Sequence, residues 1–242
     1  MSYLLTPLHT HFDSGFGATG NGFKDAADHL DQDDEAKKGN LFNASLPINC
    51  LYRHAIELFL KSAIVIFHRR FKLHYGAVPA HGEPMVLVGA EWKTFNRVHS
   101  IDLLWTYVRK LFADHAEWLA KNTKCNWVMT DEWDEAVKNI ENGDPRSTFF
   151  RYPTTKDLEA DATKSAMREL PEGGLIELAR QSSSDEKKVF AMVVQDEDRQ
   201  FVRGYYYCND EEGAKLSRAL KLLAGSCYDL HTALRWELCG GW

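Results

Sequence analysis

A mainly α-helical bundle with one small β-hairpin is the fold this sequence predicts, and three observations carry the prediction. Two long stretches, about Pro47–Arg70 and Asp210–Leu238, repeat apolar residues at the period of a helix. Two shorter stretches carry a helix start residue, Ser100, and a helix stop residue, Gly143. Near the C-terminus, "KKVFAMVV" and "QFVRGYYYC" are rich in β-branched and aromatic residues and are separated by "QDEDR". That is the pattern of a hairpin over Lys187–Val194 and Gln200–Cys208.

Each element follows from local chemistry. Residues 1–22 are glycine-rich ("DSGFGATGNG") and read as a flexible, irregular N-terminal segment. "FKDAADHLDQDDEAKK" (Phe23–Lys38) reads as a short helix with an acidic exposed side, broken by Gly39 and Pro47. The helix from Pro47 is apolar on more than half its circumference. At about 100° per residue, Arg53, His54, Glu57, Lys61 and His68 share one narrow polar stripe. "KLHYGAVPAHGEPMVLVGAEW" (Lys72–Trp92) reads as a loop with room for a short strand at "MVLVG".

Ser100 is a good N-cap, with Asp102 in the first turn and Leu104, Val108, Leu111 and Phe112 on the core side. A further helix over Thr130–Asn142 stops at Gly143. "GDPRSTFFRYPTTKD" (Gly143–Asp157) reads as a turn and a short extended piece, because Pro153 disfavours helix at Tyr152. "TKDLEADATKSAMRELPEGG" (Thr155–Gly174) is charged and apolar-poor, a connection between helices. The last helix has a core stripe of Leu216, Leu220, Leu223, Cys227, Leu230, Leu234 and Leu238, and Gly240 and Gly241 end it.

The 242 residues suit a single helical-bundle domain spanning 1–242, with 1–22 as the flexible segment and 187–208 as the hairpin. The net charge of -6 requires any nucleic-acid partner to be met by a local basic patch. Five cysteines, none two residues from another, argue against a disulfide framework or a zinc ribbon and for reduced thiols. The longest strongly apolar run is "AIVIF" (Ala63–Phe67), far below a membrane span, and the N-terminus lacks a signal-peptide pattern. The expectation is a soluble cytoplasmic protein without membrane contact. "GFGATGNG" (Gly15–Gly22) has no Gly-Lys-Ser/Thr after it, so no phosphate loop and no cofactor are expected.

The polar stripe has a bland reading. Arg53, Glu57 and Lys61 at four-residue spacing form favourable pairs on any amphipathic helix. Equally, Arg53–Asp144 or Arg151–Glu57 are candidate buried ion pairs. "LHTHFD" (Leu8–Asp13) offers His9, His11 and Asp13 as a third idea, a metal-dependent hydrolase, though barrel strands and later ligands are missing from the pattern.

"LYRHAIELFLK" (Leu51–Lys61), then "HSIDLLW" (His99–Trp105), then "DPRSTFFRYP" (Asp144–Pro153) resemble a group of bacterial helical proteins similar to the HEPN (higher eukaryotes and prokaryotes nucleotide-binding) bundles. The resemblance covers about residues 23–153 and, loosely, the last helix. It implies a helical bundle, often a homodimer, with a polar site between helices. Many such proteins are metal-independent ribonucleases of toxin–antitoxin or phage-defence systems, and others bind RNA, nucleotides or a protein partner without catalysis.

Ribonuclease members carry Arg, four to six residues, then His, as do Arg109-x5-His115 and Arg69-x4-His74 here. A histidine would move the proton of a ribose hydroxyl or leaving oxygen, and an arginine would hold the phosphate. The candidate catalytic residues are Arg53, His54, Glu57, His99, Arg109 and His115; the candidate binding residues are Lys61, Asp144, Ser147, Arg151 and Tyr152. The alternative is a non-catalytic interaction module, a subunit of a larger defence complex.

Overall fold

The computed structural model describes residues 5–32, 45–79, 82–145, 147–152 and 211–241, together with 154–157, 159, 161, 164, 167–170, 174, 176, 191–195, 197–198 and 201–207. Its helices are α1 (Phe16–Gln32), α2 (Ser45–Phe71), α3 (Ile101–Asp114), α4 (Ala116–Asn122), α5 (Asp131–Gly143) and α6 (Glu211–Cys239). Among the described residues, two antiparallel sheets complete it. One is a hairpin of β1 (Met85–Val88) and β2 (Glu91–Thr94). The other holds β3 (Met167–Leu170), β4 (Ala191–Gln195) and β5 (Phe201–Tyr207) in the order β3-β5-β4. The mainly α fold class, with a β-hairpin before the last helix, is as the sequence predicts.

α2 is the axis of the molecule. Every residue from Ala55 to His68 is buried, and α1, α3 and α6 pack around it. The stripe expected to be narrow and polar is therefore inside. A helix closed in on all sides has no wet face, so its charges must find partners in protein. The helix stops where Lys72 takes a left-handed φ of 54° and the Leu73 N–H reaches back to His68 O at 2.9 Å.

α1 corrects the reading of the N-terminal segment. It begins at Phe16, inside the stretch expected to be irregular. Asp13 initiates it, accepting from the N–H of Gly15 at 2.9 Å and of Gly17 at 2.6 Å. Glycines weaken a helix, but here they permit close packing. A Cβ on Gly17 would lie 2.0 Å from His231 Cε1, and one on Gly20 would lie 3.2 Å from the Phe59 ring. The end of the expected Phe23–Lys38 helix, beyond Gln32, lies outside the described residues.

"MVLVG" supplies β1, and β2 follows after a two-residue turn with Gly89 at φ 61°. The Ser100 Oγ accepts from Leu103 N at 3.2 Å, capping α3 as expected. The stretch Thr155–Gly174, read as a connection between helices, contributes strand β3, paired Met167↔Tyr207 to Leu170↔Gly204. Sequence periodicity could not reveal it, because its four residues become a strand only through the distant β5. Part of the expected hairpin, 187–190, Gln200 and Cys208, lies outside the described residues. α6 buries Leu220, Leu223, Cys227, Leu230, Leu234 and Leu238, as its stripe requires. No helix among the described residues is long and apolar enough to cross a membrane.

Candidate functional site

The polar residues of α2 meet two loops that arrive from far along the chain. Arg53 Nη1 donates to Ser147 Oγ at 2.6 Å, and Nη2 donates to His99 O at 3.0 Å and Asp144 O at 3.3 Å. Arg53 Nε lies 2.9 Å from Asp144 Oδ2, a buried ion pair that is close without being aligned as a hydrogen bond. Asp144 Oδ1 in turn accepts the N–H groups of Thr148 (2.8 Å) and Phe149 (3.0 Å). Ser147 sits at φ 59°. Asp144 thus caps a turn whose Ser147 is held by the Arg53 fork. That explains why these residue types occur together.

Glu57 is the second hub, and its side chain is 2% exposed. Its Oε1 accepts from Lys61 Nζ at 2.8 Å and lies 3.0 Å from His99 Nδ1. Its Oε2 makes no hydrogen bond and has Arg53 Nη1 at 3.7 Å and Arg151 Nη2 at 3.8 Å. Lys61 Nζ also donates to Phe95 O at 2.9 Å. Burial pushes the Glu57 carboxyl up, but Lys61 and His99 outweigh it and hold it below its usual range. For Asp144 burial wins over Arg53 and the two backbone donors, and the carboxyl is raised. Burial also lowers Arg53, against the pull of Asp144 and Glu57.

Arg53, Glu57, Lys61, Asp144 and Ser147 are each under 5% exposed. His99 and Arg151 differ: their side chains are 41% and 36% exposed. Both ring nitrogens of His99 face acceptors, Glu57 Oε1 and Asn96 O (3.0 Å from Nε2). Among the described residues, the buried cluster therefore shows solvent His99 and Arg151, both converging on Glu57.

The other candidates fall elsewhere. His54 is half-buried, its ring edge-on to Phe23 at 4.4 Å, and its Nδ1 lacks a hydrogen-bond partner. Burial lowers its pKa. Arg109 forms an ion pair with Asp134 of α5. His115 turns onto Phe71 (4.0 Å) and Phe67 (5.8 Å) of α2, and its Nδ1–H donates to Leu111 O at 2.9 Å. The two ends of the Arg-x5-His pair thus serve different neighbours. The Tyr152 ring is exposed, and its carbonyl accepts from Lys164 at 2.7 Å. His9 is exposed while His11 is buried against Thr6, and Asp13 is spent on the α1 cap. Among the described residues no group of three or more His, Cys, Asp or Glu is placed to hold a metal.

A second buried network escaped the sequence reading. Ser62 Oγ donates to Asp13 Oδ2 at 2.6 Å and lies 3.0 Å from His231 Nδ1. Since the hydroxyl proton goes to the carboxylate, the Ser62 oxygen accepts from His231 Nδ1–H. The hydroxyl sits in the middle and is fully buried, so the trio packs α1, α2 and α6 and is no nucleophile. Its members are 49 and 169 residues apart in pairs; the only local signal was Ser62 lying next to Lys61 on an otherwise apolar turn. Comparison of the chain with family models, with curated proteins and with solved structures finds no match to any of them.

Proposed function

We propose that the chain is a HEPN-like RNA- or nucleotide-binding protein that meets phosphate with His99 and Arg151. The observation that carries this reading is their convergence on the buried Glu57: a carboxylate orients an exposed imidazole through Nδ1 and holds a guanidinium beside it. A histidine so held is suited to proton transfer, and an arginine to a phosphate oxygen. Metal-independent RNA cleavage in a bacterial defence or toxin–antitoxin setting is the sharper form of the reading. Arg53, Lys61, Asp144 and Ser147 then act as supports that set the path of both loops. A cytoplasmic homodimer belongs to the same reading, and light scattering tests it.

Labelled RNAs of mixed sequence, incubated with the protein and EDTA, test the chemistry. Cutting by the wild type that disappears in folded His99→Ala, with binding reduced in Arg151→Gln, is the expected result. Absence of both binding and cutting in the wild type sinks the proposal. It would leave the second reading, a non-catalytic interaction module in a larger complex. One observation favours that reading: Arg53, Lys61 and Asp144 are held almost wholly by protein groups.

A further inference from the structure

We propose that the outer face of α6 is an interface with a second copy of this chain, the two α6 helices lying antiparallel across a two-fold axis. α6 packs on α1, α2 and α5 and turns Leu220, Leu223, Cys227, Leu230 and Leu234 inward. At about 100° per residue, Arg218, Leu222, Gly225, Asp229 and Trp236 fall on the opposite side, within one arc of about 60°. Leu222 is 37% and Trp236 65% exposed, and Arg218 and Asp229 are exposed as well. Gly225 leaves a notch between them: a Cβ there would meet no neighbouring heavy atom within 4 Å.

The order of these residues along the helix selects a second copy as the occupant. Arg218 and Asp229 lie symmetrically about a point between Leu223 and Ala224, and so do Leu222 and Gly225. A two-fold axis through that point makes every contact twice. Each Arg218 meets the partner's Asp229, and each Leu222 enters the notch at the partner's Gly225. Neither charge is answered within the chain: among the described residues, no carboxylate pairs with Arg218 and no cation with Asp229. Lys215 and Lys221 flank Arg218 at one turn, and Lys221 is already taken by Asp31. A parallel pair would set Arg218 on Arg218 and Asp229 on Asp229; the antiparallel pair sets opposite charges together. Exposed ion pairs add little affinity, so these fix orientation and register. Affinity comes from Leu222 and Trp236 leaving water, with the glycine letting the helix axes approach to about 8 Å. α6 carries no member of the Glu57 cluster, so the inference stands apart from the RNA reading.

Sedimentation equilibrium of the full chain tests the pairing. The wild type should dimerise with a Kd below about 100 μM. Gly225→Gln fills the notch at a helical position with free space around it. It should weaken dimerisation at least about tenfold while circular dichroism stays unchanged. Arg218→Asp and Asp229→Arg each set like charges across the axis and should each weaken it at least about fivefold. An equimolar mixture of those two variants restores both opposite-charge pairs. It should associate at least about fivefold more tightly than either variant alone. A monomeric wild type, a dimer untouched by folded Gly225→Gln, or a mixture no tighter than its components overturns the proposal. None of these results depends on RNA binding.

Discussion

Arg53 shows how much one buried side chain can organise. Arg53→Ala would leave Asp144 and Glu57 without their guanidinium and would empty the space under Ser147. A loss of about 3–5 kcal/mol in urea unfolding is expected. Arg53→Met keeps the stem and fills the space, so it should cost less than Arg53→Ala. A larger loss for Met would show that the charge, not the volume, holds the loops. His99→Ala, at a half-exposed ring, should change stability by no more than about 1 kcal/mol. The sequence placed Arg53, Glu57 and Lys61 on one face correctly but did not show that the face is dry. Arg53 meets His99 O at a separation of 46 residues and Ser147 at 94. Polar residues on a helix look the same whether water or a distant loop covers them.

Among the elements, α1 and α6 touch through an absence of side chain. Gly17 lets the ring of His231 rest against the α1 backbone beside Asp13. Gly17→Ala must displace that ring and should destabilise by about 1–3 kcal/mol. His231→Ala removes the obstacle, so the double variant should cost less than the sum of the single ones in thermal unfolding. Strict additivity would show that the two positions do not press on each other. This contact also explains why the start of α1 was hidden. Glycine-rich sequence signals irregular backbone unless a partner from elsewhere needs the space, and the partner here is more than 200 residues away.

At the scale of the whole molecule, two buried histidines link stability to pH. Burial depresses His231 to about 4, despite the opposing pull of Asp13, with Arg235 adding to the depression. Burial likewise depresses His68 to about 4, against its bond to Leu73 O. His68 is stacked on Tyr75 at 3.9 Å and bonded to Tyr107 at 2.6 Å. Both rings are neutral when folded and charge more readily when unfolded, near 6.5. Their contribution is complete above about pH 6.5 and is lost as pH falls toward 4, at about 1.4 kcal/mol per pH unit for each ring. Glu57, held below its usual 4.5, adds to the loss at lower pH. Urea midpoints across pH 7 to 4 should fall steeply for wild type and more shallowly for a folded His68→Gln variant. Equal slopes would remove His68 from this account. Element type and order were largely legible because α2, α3, α5 and α6 carry strong periodicity or caps. The short strands were less so, since four residues gain their identity from pairing.

The way α2 grips the loops has a further consequence. Lys61 takes the carbonyl of Phe95, Arg53 those of His99 and Asp144, and Arg69 those of His11 and Phe12. These contacts read main-chain oxygen, which every amino acid supplies, while Arg53 and Arg69 also take the side chains of Ser147, Asp144 and Ser14. Apart from Ser14, Asp144 and Ser147, the spelling of these loops can therefore change while their course stays fixed. Variety can accumulate in the remaining loop side chains, on a frame that a single helix keeps in register.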